Sequence, residues 1–154
     1  MRKYVETIKG KIVGYGESTK DGVYDVYESL QIKGSDGALI QVENVAINPN
    51  LSVALSSGVA FQFADAKNFN THYKYNYLCG LQMKNGDVLK DERLLKTVYK
   101  TRYAIAYLSL IPPFTLISPW VFAKAKRLKE AYESVGVFEP VEKNFIRKTT
   151  TKKF

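Results

Sequence analysis

A nucleophile needs a base to activate it, and a metal ion needs several ligands at once. The 154-residue chain holds one histidine, His72, and one cysteine, Cys79. His72 follows the polar run Asn68-Phe69-Asn70-Thr71 and reads as a surface residue. Cys79 lies in an apolar, strand-like run and reads as a small buried hydrophobe. One cysteine excludes an internal disulfide, and one histidine argues against a His/Cys zinc site. Gly10, Gly14 and Gly16 match neither GxGxxG nor a phosphate-binding loop. The Asp91-Glu92 pair stands where a helix begins, complementing its dipole. The chain therefore reads as non-enzymatic, with no cofactor and no metal.

The remaining residue types point to binding, and charge says where. The net charge is +8, with 45% apolar and 25% charged residues, as in a folded domain. Residues 1–95 hold 11 Lys/Arg and 11 Asp/Glu, whereas residues 96–154 hold 12 and 4. The excess belongs wholly to the last third. That third also contains Tyr103 to Ala123, 21 residues without a Lys, Arg, His, Asp or Glu. Lys96, Lys100 and Arg102 stand before it, and Lys124, Lys126, Arg127 and Lys129 after it. An apolar segment with basic flanks and interfacial aromatics is the pattern of chain that enters a bilayer. Tyr103, Tyr107, Leu110, Ile111, Pro112, Pro113, Phe114, Ile117, Trp120 and Phe122 are the expected inserting residues. The seven basic residues are expected to meet anionic lipid.

Pro112-Pro113 sits near the middle of this stretch, and two prolines in succession end or sharply kink a helix. Three geometries follow: one kinked span, a re-entrant hairpin, and a helix pair packed on the preceding domain as ordinary core. The hairpin is preferred because it keeps both basic flanks on one face of the membrane. The first residues, MRKYVETIKGKIVGYG, lack the apolar core of a signal peptide. Together these features lead to an expected place at the cytoplasmic face of a membrane, with a cytoplasmic protein as the alternative.

The elements that carry these residues differ between the two parts of the chain. Residues 1–86 read as strands over 4–15, 23–33, 38–47, 59–64 and 73–83. Asp36-Gly37 and Asn85-Gly86 mark turns, and Asn50 is the expected cap of a short helical run, 51–55. Three strands, a helical insert and two strands resemble a small five-stranded barrel of the OB or SH3-like kind. From Val88 the apolar spacing turns helical, with one helix running to the prolines and another over 114–134. The expected fold is α+β: a β-barrel domain (1–86), a helical hairpin or membrane anchor (87–138) and a basic tail (139–154).

Membrane lipids and another protein are the expected partners, with the barrel as a scaffold or binding module. Tyr73, Tyr75 and Tyr77 form a row on one strand face, a candidate partner-binding surface. Such rows stack bases in single-strand binders, which makes a soluble nucleic-acid-binding protein the alternative reading. A part with zero net charge lacks the electrostatic footprint that dominates such binding.

Overall fold

The computed structural model describes residues 4–65, 74–112 and 114–138. His72, Tyr73, Pro113 and the tail 139–154 lie outside the described residues, as does the side chain of Phe114. The chain forms β1 (Val5–Lys9), β2 (Lys11–Tyr15), β3 (Ser18–Asp21), β4 (Tyr24–Lys33) and β5 (Leu39–Ile47). A one-turn helix, α1 (Pro49–Ser52), and a 3-10 turn (Leu55–Ser57) lead to β6 (Gly58–Asp65), β7 (Asn76–Met83) and β8 (Val88–Lys90). Helices α2 (Arg93–Leu108) and α3 (Ser118–Ser134) follow, with a 3-10 turn (Phe114–Ile117) between them.

The fold is α+β, as expected, but the five-stranded barrel is not what forms. Eight strands make one mixed sheet in the order β1-β6-β7-β5-β4-β2, not closed into a barrel. The short β3 and β8 pair with β4 and β7 off this path, and the contact between β5 and β7 is parallel. The strand expected over 4–15 divides at Gly10. β1 pairs with β6 and β2 with β4, so consecutive strands lie at opposite ends of the strand order. Gly10 is needed there: a Cβ would stand 2.4 Å from the Lys33 carbonyl oxygen. Two further expectations are corrected. Val88–Lys90 is a strand rather than the opening of a helix. Asn48, not Asn50, caps α1, its side-chain oxygen accepting from the Asn50 N–H.

Two apolar clusters use opposite faces of the sheet. Leu30, Ile32, Val45, Ile47, Phe61, Phe63, Leu78 and Leu81 form one, closed over by Leu51 and Leu55. Ala64 and Cys79 join Leu95, Val98, Leu128 and Val135 in the other. Alternation along β6 explains the division, since successive strand residues point to opposite faces. Leu78 and Leu81 share a face although they are three positions apart. The register shift that pairs Phe63 with Leu78 and Gln62 with Gly80 leaves Cys79 as the extra, bulged residue.

Candidate functional site at the end of the helical hairpin

Helices α2 and α3 run antiparallel. Tyr99 packs on Tyr132 with ring centroids 4.9 Å apart, and Tyr107 meets Phe122 edge-on at 5.5 Å. The chain therefore reverses between α2 and α3, so the single kinked span is not the geometry that forms. Ala106 and Ala125, both fully buried, provide small side chains along the helix pair. The reversal is tied off locally: the Ser109 hydroxyl donates to the Ala106 carbonyl at 2.6 Å. The Leu110 and Ile111 amides donate to Tyr107 and Leu108 at 3.2 Å.

The base of the hairpin is locked to the sheet by a residue that sequence reasoning missed. Gln62, buried on β6, donates from its side-chain amide to the carbonyls of Ser134 and Val137 at 3.2 and 3.0 Å. Its oxygen accepts the Gly136 N–H at 2.7 Å. These bonds satisfy the end of α3, which otherwise leaves carbonyls unpaired. Gly80 on β7 makes room for this side chain, because a Cβ there would come within 2.5 Å of the Gln62 side-chain oxygen. A polar residue between Phe61 and Phe63 was the available signal, together with a glycine inside the next strand. Cys79 is buried beside it, its thiol donating to the Gln62 carbonyl at 3.2 Å. Burial pushes that thiol up to about 12.

Beyond the base, the apolar side chains lose their cover. Among the described residues 16 large apolar side chains are exposed, and eight of them fall within residues 105–120. They are Ile105, Tyr107, Leu108, Leu110, Ile111, Leu116, Ile117 and Trp120, with Leu116 at 92% exposure. Five of the eight were expected to insert: Tyr107, Leu110, Ile111, Ile117 and Trp120. Ile105, Leu108 and Leu116 were missed, although all three lie within the charge-free stretch. Pro112 is exposed at the turn, whereas Tyr103 and Phe122 are only partly exposed and pack along the hairpin.

The basic residues lie along the same two helices. Residues 93–129 hold eight Lys/Arg and no Asp or Glu. Lys96, Lys100, Lys126, Arg127 and Lys129 are exposed, while Arg102 and Lys124 are partly buried. Lys124 sits 5.6 Å from the centre of the Trp120 ring, a cation–π contact at the border of the apolar end. Burial, and then Arg102, hold Lys124 below the ordinary lysine value. Lys129 pairs with Glu133, one turn further along α3, at 3.6 Å.

No family model, no curated protein and no solved structure matches the chain. The functional reading therefore rests on the hairpin's own geometry. Among the described residues no helix is long and apolar enough to cross a membrane. From Arg102 to the end of α2 at Leu108 the α-helical rise amounts to about 9 Å, less than half of a 30 Å hydrocarbon core.

The tyrosine row is only partly brought together. Tyr75 lies just before β7, and its hydroxyl donates to Asp21 at 2.8 Å. Tyr77 is packed edge-on against Tyr24 at 5.2 Å and against Tyr75 at 6.3 Å. These rings are engaged with one another and with the sheet. No group of three or more His, Cys, Asp or Glu among the described residues could hold a metal ion.

Proposed function

We propose that this protein is a non-enzymatic, membrane-associated binding protein whose α2–α3 hairpin dips its apolar end into one leaflet of an anionic membrane. The observation that carries the reading is the gathering of eight exposed apolar side chains at one end of a two-helix projection. Fully burying a Leu or Ile side chain is worth about 1.5–3 kcal/mol, so even partial insertion of several gives appreciable affinity. Tyr107 and Trp120 are suited to the interface, having an apolar body and a polar edge. The acid-free run 93–129 supplies charge complementarity, each basic side chain adding about 1 kcal/mol near anionic headgroups. Basic residues on both arms favour the cytoplasmic face. The sheet would then stand outside the bilayer as the part that meets another protein.

Co-sedimentation of the full chain with phosphatidylcholine vesicles, with and without phosphatidylglycerol, tests this. Binding is expected to the anionic vesicles and to fall about tenfold or more in a Leu116→Ser/Trp120→Ser variant, whose unfolding temperature stays unchanged. A protein that ignores both vesicle types while dimerising through residues 105–120 would overturn the reading.

A further inference from the structure

A cleft of about 440 Å³ lies at the Lys9 end of β1, where its lining residue Ala60 is two positions along β6 from Gln62. Its walls include Val13, Val59 and Ala60, and its lining includes Lys9, Lys11 and Lys33 but, among the described residues, no carboxylate. The fold itself brings the lysines together. The division of the first strand at Gly10 places Lys9 on β1, beside β6, and Lys11 on β2, directly opposite Lys33 on β4. Like charges directly opposite in an antiparallel pair are destabilising. Elsewhere on β4 the pairing is complementary, with Lys20 facing Asp25. None of the three lysines forms an ion pair among the described residues. Asp36, in the adjoining turn, accepts the Ala38 N–H instead of lining the cleft.

We infer that this cleft binds a small amphiphilic anion, its apolar body against Val13, Val59 and Ala60 and its acidic head among Lys9, Lys11 and Lys33. The volume lies within the roughly 300–1,000 Å³ of small-molecule sites, which are mainly apolar with a few placed polar groups. A nucleic acid fits less well, because no aromatic side chain among the described residues lines the cleft to stack a base. The head relieves the repulsion between Lys11 and Lys33, so the ligand also stabilises the fold. The acid is a carboxylate or a phosphate monoester; both present the same chemistry to the lysines.

Isothermal titration of the full chain with decanoate, decyl phosphate, decanol and inorganic phosphate, all below micelle formation, tests the assignment. One-to-one binding is expected for the two amphiphilic anions, and the tighter of them identifies the head. Decanol and inorganic phosphate should bind about tenfold more weakly or worse, since each lacks one half of the recognition. Lys11→Gln/Lys33→Gln should weaken the anions about tenfold without lowering the unfolding temperature, because it removes a repulsion. Val13→Asp, at an exposed position, should weaken them as well. The hairpin variant Leu116→Ser/Trp120→Ser should retain them, separating this site from the membrane reading. Absence of binding, equal binding of decanol, or loss in the hairpin variant alone would each overturn the inference.

Discussion

The two ends of the α2–α3 hairpin are built from the same kinds of residue and meet opposite fates. At the base, Leu95, Val98, Leu128 and Val135 are buried with Ala64 and Cys79 of the sheet. At the far end, Leu110, Ile111, Leu116 and Ile117 stand in water. Hydrophobicity does not separate the two sets. The base has strands β6 and β7 to pack on and the Gln62 side chain to satisfy the end of α3. The far end has no residue in the cluster that the helices share with the sheet, among the described residues. Burial is therefore a property of what lies opposite.

The comparison breaks most directly by truncating one leucine from each end. Leu128→Ala at the base, where the side chain has no exposed surface, is expected to cost about 2–5 kcal/mol, the transfer loss plus the cavity. Leu116→Ala at the far end should stay within about 0.5 kcal/mol of the parent. Urea unfolding measures both, and similar costs would mean that the far end is packed in solution.

A smaller effect sharpens what holds the base. Gln62→Leu keeps the bulk but leaves the Gly136 N–H and the Ser134 and Val137 carbonyls without these partners. A loss of about 1 kcal/mol is expected, because these groups are only partly buried and the Ser134 carbonyl keeps the Val137 N–H. Amide exchange at Gly136 should accelerate, while exchange at Phe61 should accelerate only as far as global stability falls. An unchanged rate at Gly136 would show that apolar contact alone holds the base.

The smallest expected effect is electrostatic and confined to the base. Lys90 and then Tyr132 hold the Glu92 carboxyl below its ordinary value of 4.5. The hydroxyl of Tyr132 donates to it at 2.9 Å, joining the start of α2 to α3. Because the folded value is the lower one, the ionised form is favoured in the native state. Its contribution is present above about pH 4.5 and is lost as pH falls through the folded value. Glu92→Gln should lower the unfolding temperature near neutral pH and lose that difference on acidification. Residues 105–120 contain no carboxylate, so substitutions there should show no such acid dependence. A Glu92→Gln difference that persists at low pH would remove the electrostatic account.

Much of the hairpin was legible in advance because its signals are local. The prolines stop a helix by removing backbone donors, and the charge-free stretch identifies itself by what it lacks. The main strands were legible too, since β4, β5, β6 and β7 each carry enough residues to show a strand pattern. β3 and β8 did not, because four and three residues are too few for a period to emerge. Val88-Leu89-Lys90 fitted a helix as well as a strand until its pairing with Gly80, Leu81 and Gln82 was known.

The amino-acid sequence alone determined the charge asymmetry, the helix break at the prolines, the apolar stretch with basic flanks and the absence of a disulfide. Each depends on residue type and short spacing, which the chain displays without folding. Tertiary structure alone decided that the first strand divides at Gly10, that β5 lies parallel to β7, and that the sheet does not close. It also decided which of two similar apolar sets is covered, that Gln62 is buried against residues more than 70 positions away, and that three lysines share one cleft. These outcomes depend on pairings between distant segments. A strand's local pattern specifies that one face will be covered but carries no record of the segment that covers it.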